Sequence, residues 1–239
     1  MSSAASLHSA TLLSFPGRAR AVRPKLAEAL KYHRLPERLV ESLLREAADW
    51  PDRNLEDLLA CMLAARMCLS PIDLAKARGI LLVGPSGAGK SAVAEKLSLR
   101  ARSLGRAVDY RGPSESRALL RGGAWPEDRL TILETEGFNP TNPRAANAFG
   151  SLSYIEGVES IGVVSALTDA EDVSEMVSAL RFRRLIVTGL DQTRRLGAAV
   201  AAATGGARLA HVAYGPKADD ALDVLTAPAL ARLLLQKPH

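Results

Sequence analysis

Residues 84–91 read Gly-Pro-Ser-Gly-Ala-Gly-Lys-Ser, a full match to G-x-x-x-x-G-K-[ST]. The five residues before them, Gly79-Ile80-Leu81-Leu82-Val83, are an apolar run of strand length. Val93, Ala94, Leu97 and Leu99 are the apolar residues of a helical segment behind the loop. A strand that is apolar at every residue is buried on both faces, the habit of parallel sheets covered by helices. Each residue type in the loop has a physical task. Glycines let backbone N–H groups turn inward and approach phosphate oxygens without a Cβ in the way. The helix start behind the loop adds its partial positive charge. Gly84, Ser86, Gly87, Ala88 and Gly89 are therefore candidate phosphate-binding residues. Lys90 would neutralise the β- and γ-oxygens, and Ser91 would offer its hydroxyl to Mg²⁺. The motif points to a nucleoside triphosphate and leaves the base and the reaction open.

Strand-like segments at Ala107–Asp109, Leu130–Leu133, Ile161–Ser165, Leu185–Val187 and Leu209–Ala213 alternate with helical ones. The helical segments are Ser114–Arg121, Ala170–Leu180, Arg194–Ala203 and Pro228–Leu235. This alternation predicts an α/β fold, a P-loop NTPase parallel sheet with helices on both faces. Ahead of it, Pro24 to Ala77 has helical spacing and no strand alternation. Leu39, Val40, Leu43, Leu44 and Ala47 form one apolar stripe after Pro36. Leu55, Leu58, Leu59, Met62, Leu63 and Met67 form a second after Asn54, which with Asp57 resembles a capping box. Ser70-Pro71 predicts a short last helix. The chain thus divides into a flexible basic leader (1–22), a small N-terminal helical bundle (23–77) and a phosphate-loop domain (78–239).

The 239 residues, 47% of them hydrophobic and 24% charged, suit a soluble chain with one α/β domain and a small companion. Aromatics at 4% argue against a reader that stacks on bases, so no direct DNA binding is expected. A net charge of +5 permits an acidic partner without naming one. Residues 1–22 lack Asp and Glu and read as a disordered arm, with contact to a membrane or a partner as the alternative. No apolar run reaches the roughly 18–20 residues of a membrane span. Cys61 and Cys68 read as belonging to one helix, too far apart to bridge, which fits a reducing compartment. His8, His33, His211 and His239 show no metal spacing.

In parallel sheets, ligands are met by loops at the strand carboxyl ends. Leu130–Leu133 is followed by Glu134-Thr135-Glu136-Gly137. An acid at this point can hold Mg²⁺ through water, next to a glycine that senses the γ-phosphate. A simple capping acid is the alternative for Glu134. Leu185–Val187 is followed by Thr188-Gly189-Leu190-Asp191. A carboxylate there can accept two hydrogen bonds from guanine N1–H and N2–H₂. Adenine lacks that donor pair and would leave the carboxylate unpaired.

This collinear arrangement resembles the signal-recognition-particle-type GTPases, most closely their flagellar branch, over roughly residues 24–235. Gly84–Ser91 matches the family's phosphate loop throughout. Glu134-Thr135-Glu136-Gly137-Phe138 stands where the family has Asp-Thr-Ala-Gly-Arg. Val164–Thr168 and Glu171-Asp172-Val173 resemble the strand and helix before the base-reading motif. Thr188-Gly189-Leu190-Asp191 stands for Thr-Lys-x-Asp. Tyr214-Gly215-Pro216-Lys217, with Asp219 and Asp220, resembles the loop that closes over the nucleotide.

The resemblance implies GTP and Mg²⁺ as ligands. Ser91 and Glu134 would lie at the metal, Gly137 at the phosphates, and Thr188, Asp191, Gly215, Pro216 and Lys217 at the base. It implies a homodimer, or a related GTPase or regulator as partner, and a role in protein targeting or flagellar assembly. The expected location is cytoplasmic, with peripheral contact at the inner face of the cell membrane. The departures are Gly189 for the base-stacking lysine, Phe138 for Arg, Glu136 for Ala, and a short segment between Leu99 and Leu130. Asp109-Tyr110-Arg111 is a remnant of the family's Asp-Thr-x-Arg, and no catalytic residue is assigned. Hydrolysis is expected to be slow or partner-dependent. A catalytically silent scaffold and an ATP-using phosphate-loop enzyme are the alternatives.

Overall fold

Strand β2 (Gly79–Val83) is buried at every residue, as a run of Ile, Leu and Val with no polar face demands. It lies inside an eight-stranded sheet in a computed structural model that describes residues 17–50, 52–121, 125–139 and 157–236. The other strands are β1 (Cys68–Leu69), β3 (Val108–Arg111), β4 (Leu130–Glu134), β5 (Val158–Ser165), β6 (Arg184–Thr188), β7 (Arg208–Ala213) and β8 (Leu222–Asp223). Their order is β1-β7-β6-β5-β2-β4-β3, with every neighbour parallel. Strand β8 alone runs antiparallel, on β7. The chain leaves β2 for β3 and β4 on one side and then for β5, β6 and β7 on the other. Such a reversal opens a crevice at the carboxyl ends of the strands.

Helix α4 (Lys90–Ser103) covers one face of the sheet. Its Val93, Ala94, Leu97 and Ala101 pack with Ile80, Leu82, Ile132, Ile161 and Val163. Helices α6 (Ala170–Leu180) and α7 (Gly197–Thr204) cover the other face, over Leu81, Val83, Val164, Leu185 and Val187. Helix α5 (Pro113–Leu120) lies beside β3 and β4. Helix α6 begins where Asp169 accepts from Glu171 N, a capped start matching the predicted Ala170.

The helical unit consists of α1 (Gly17–Tyr32), α2 (Glu37–Ala47) and α3 (Leu55–Ala64), closed by α8 (Ala227–Leu235) from the far end of the chain. Helix α3 lies against α8, so Leu58, Leu59, Met62 and Leu63 share a core with Leu230, Ala231 and Leu234. Asn54 caps α3, its side chain accepting from Glu56 N and Asp57 N. Pro36 precedes α2 but has no side-chain oxygen. Glu171 of α6 fills that need by accepting from Glu37 N at 3.0 Å. Among the described residues no helix is long and apolar enough to cross a membrane.

Four expectations need correction. The leader was expected to run to residue 22, yet α1 starts at Gly17, since Ala and Arg are strong helix formers; residues 1–16 lie outside the described residues. No helix follows Ser70-Pro71. Cys68 and Leu69 join the sheet edge beside β7, and Ser70 N donates to Leu209 O at 3.0 Å. Ile72 N then donates to His211 Nε2, so the backbone groups that would begin a helix are already paired to β7. The helical bundle therefore does not extend to Ala77, and it recruits α8 from the segment assigned to the phosphate-loop domain. Cys61 and Cys68 sit in a helix and a strand respectively, both free and exposed.

Leu59 is fully buried between α3 and α8. Leu59→Ala is expected to lower unfolding free energy by about 2–5 kcal/mol in urea titration. His211 is buried and accepts from Ile72 N; burial, then Arg100 and Arg184, hold its imidazole down at about 4. His33 is also shifted down by burial. Lowered folded values mean that this stability is present above the ordinary value of 6.5 and is lost as pH falls toward about 4. Chemical denaturation followed from pH 7 to 4 should show that loss, and His211→Gln should reduce its slope.

Candidate nucleotide site

The phosphate loop follows β2 because the backbone there takes conformations few residues accept. Gly87 and Gly89 have φ of +75° and +86°, in the left-handed region that favours glycine. Ala88 is buried between them, while Ser86 and Gly87 form the exposed tip. Lys90 is the first residue of α4 and reaches back across the loop. Its Nζ donates to Gly84 O at 3.1 Å and Pro85 O at 3.0 Å. Burial pulls its ammonium below the usual lysine range, and the Glu134 carboxylate opposes that shift.

Glu134 ends β4 next to β2, with Leu82 opposite it in the ladder. Its Oε1 accepts from Ser91 Oγ at 3.0 Å and its Oε2 accepts from Tyr110 OH at 2.8 Å. Burial, then the carboxylate, pushes the Tyr110 phenol up to about 12, so it remains a proton donor at neutral pH. Ser116 at α5 supports the same corner: its hydroxyl accepts from Glu134 N and donates to Arg111 O. Ser91 and Glu134 are hard oxygen donors of the type Mg²⁺ accepts, and the structure brings them together. Beyond Glu134, the chain runs beside the phosphate loop, with Phe138 bridged to Pro85. A Cβ on Gly137 would sit 2.6 Å from Ser86 Cα, so only glycine fits against the loop.

Arg111 is not directed to the loop. Its guanidinium forms a two-pronged pair with Asp109 at 2.9 Å. Arg117 on α5 pairs with Glu136. A groove of about 260 Å³ opens between α5 and residues 134–136 and is walled partly by Glu134.

The residues predicted to meet the base lie at and beyond the end of β6. Thr188 Oγ1 donates to Ala88 O at 2.7 Å, joining this strand to the phosphate loop. Gly189, with φ +68°, turns the chain into a single 3₁₀ turn over Leu190–Gln192. A Cβ on Gly189 would meet nothing closer than 3.9 Å, so the space beside this turn is open, although its φ favours glycine. Asp191 Oδ1 accepts from Gly215 N at 2.9 Å, which ties it to the loop after β7. Pro216 and Lys217 form the exposed part of that loop, and Lys217 N donates to Asp220 Oδ2 at 2.7 Å.

Sequence reasoning missed Lys96, Ser116 and the part played by Tyr110. Lys96 carried a readable signal. It stands three residues after Val93 and next to Leu97, on the side of α4 that packs inward, where a lysine needs a reason. Leu99 is instead largely exposed.

No family model and no curated protein matches the chain. Solved structures do. FlhF complexed with GMPPNP and Mg²⁺ superposes with a TM-score of 0.68 at 15% identity, over 92% of this chain and 100% of that one. The signal recognition particle receptor FtsY from Elizabethkingia anophelis in complex with GDP gives 0.72 at 16% identity, over 92% and 90%. Cell division protein FtsY from Thermotoga maritima gives 0.65 at 17% identity, over 94% and 95%. The chain therefore has the fold of these proteins across both its helical and its sheet units.

Gly137→Ala is expected to displace the phosphate loop and weaken Mg²⁺-nucleotide binding by about tenfold or more, ~1.4 kcal/mol, in calorimetry. Gly112→Ala, where a Cβ would meet nothing within 4 Å, should leave that affinity unchanged.

Proposed function

We propose that this chain is a member of the signal-recognition-particle-type GTPases and binds GTP with Mg²⁺. The observation that carries the reading is the 2.7 Å bond from Thr188 to the phosphate-loop carbonyl of Ala88. Through it, a nucleotide whose phosphates lie in residues 84–91 has its base on the side of Asp191 and the Gly215–Lys217 loop. The structures of like fold support the same ligands, since FlhF was solved with GTP and Mg²⁺ and FtsY with GDP.

The residues divide the work. Backbone N–H groups of Gly87, Ala88 and Gly89 would hold the phosphates at the start of α4, where the helix dipole favours negative charge. Lys90 adds a point charge to the β- and γ-oxygens. Ser91 and Glu134 would hold Mg²⁺, which when bound would supply charge neutralisation at the phosphates. Gly137 would approach the γ-phosphate. Thr188, Asp191, Gly215, Pro216 and Lys217 would enclose the base.

Hydrolysis needs one more element, a group that orients water or neutralises charge as the bond breaks. Arg111 is engaged by Asp109, and Phe138 carries no donor. Turnover by the chain alone is therefore slow or depends on a partner. The nucleotide state then governs contact with a second copy or a related GTPase, in protein targeting or flagellar assembly. The Arg111–Asp109 pair also favours a second reading, a switch that binds nucleotide without hydrolysing it.

Calorimetry with Mg²⁺ and GTP, GDP or ATP should show guanine preference. Asp191→Asn should weaken GDP binding about tenfold or more, the scale of a hydrogen bond to a charged group, and favour xanthosine diphosphate. Equal affinity for ATP and GTP, unmoved by Asp191→Asn, would overturn the guanine reading in favour of an ATP-using enzyme. Steady-state phosphate release separates slow turnover from none.

A further inference from the structure

Lys96 is 1% exposed, the largest of the fully buried side chains. It lies on α4, six residues beyond Lys90 and across the helix from solvent. Its ammonium donates to two backbone carbonyls of the loop after β7, Lys217 O and Asp220 O, the latter at 3.3 Å. Burying an ammonium is costly unless it is well hydrogen-bonded. A methionine would fill the volume without that cost, so a lysine here needs a role beyond packing.

The loop itself is closed by backbone and carboxylate bonds. Tyr214 N donates to Ala221 O at 2.9 Å across its neck, and Lys217 N donates to Asp220 Oδ2 at 2.7 Å across its turn. Gly215 takes φ +60°, and a Cβ there would collide with the Asp220 carboxylate. Gly215 N donates to Asp191 Oδ1, so the loop and the base-reading carboxylate form one unit. Lys96 carries the hydrogen bonds that run from this unit to α4, whose first residues form the phosphate cradle.

We infer that Lys96 is the positioning residue for base selection: it anchors the 214–221 loop to α4 and thereby fixes the loop and Asp191 as a preformed purine pocket. The open space at Gly189 gives this anchor more weight, because no long side chain there presses on the base. Without Lys96, two part-buried carbonyls lose their donor and the loop is released to turn them toward water. Base recognition then weakens, while the phosphate cradle, built from residues 84–91, keeps its own bonds. The inference rests on the guanine reading of the site.

The test compares wild type, Lys96→Met and Asp220→Ala, with Mg²⁺ present. Binding of GDP, ADP and pyrophosphate is measured by calorimetry, and amide hydrogen exchange by mass spectrometry. Lys96→Met should remain folded and should bind pyrophosphate as wild type does. It should lose GDP affinity about ten- to a hundredfold, the range of a hydrogen bond to a charged group. Its GDP-over-ADP preference should collapse. Exchange should accelerate at residues 215–220 and stay unchanged at 84–91. Should Lys96→Met not fold, Asp220→Ala opens the same loop from its other side and must give the same pattern.

Equal losses for GDP and pyrophosphate would show Lys96 supporting α4 as a whole and overturn the inference. Wild-type exchange and affinity in both variants would do the same. If wild type itself binds pyrophosphate but does not prefer GDP to ADP, the guanine reading fails. The exchange measurement still decides whether Lys96 holds the loop.

Discussion

The hydrogen bond from Thr188 to Ala88 O fixes the distance on which the site depends. It joins the end of β6 to the middle of the phosphate loop, although β5 lies between β6 and β2 in the sheet. The close approach of Gly84 to Val163 O makes that span feasible, since any side chain at Gly84 would overlap the carbonyl. The phosphate loop therefore leans over β5 until it meets β6. The proposed phosphate and base subsites are thereby set on one frame of strand ends, with α4 as the shared support.

The same economy governs the corner at Glu134. Glu134 is one methylene longer than the aspartate of the resembling family, and in this chain it contacts Ser91 directly and is held from the other side by Tyr110. Ser116 then fixes the backbone at Glu134. A longer acid alone would gain rotamer freedom; two hydroxyl donors on its two oxygens remove it. The changes at positions 110 and 134 are in this sense one feature, and reading either alone in the sequence understates it.

How far the sequence was readable follows from how local each signal is. The loop at Gly84–Ser91, the strand before it and α6 are each specified within a dozen residues, and each lies where expected. Strand β1 was invisible because two residues carry no periodicity. Its pairing information sits in β7, and the Ser70-Pro71 pair imitates a helix start. Helix α8 was visible as a helix, but nothing in Pro228–Leu235 says that it packs on α3 rather than on the sheet. Lys96 was passed over because its acceptors are main-chain carbonyls more than a hundred residues away, which leave no trace in side-chain identity. The junction between the units behaves likewise. Gly197 lies against the carbonyl of His33, where a Cβ would come within 2.6 Å, and a glycine at a helix start does not announce a distant neighbour.

The closure of the helical unit by α8 has a temporal meaning. Glu56 pairs with Arg232 across a sequence separation of 176 residues, and the apolar seam beside that pair is equally remote. A chain emerging from the ribosome thus has the α8-facing side of α3 without its partner throughout synthesis of the whole sheet. Local helices form early, while contacts of such range wait on the loop closure between them. During that interval the exposed seam is the part of the nascent polypeptide most open to capture by chaperones or to aggregation, and it is sealed only when residues 227–235 have been made.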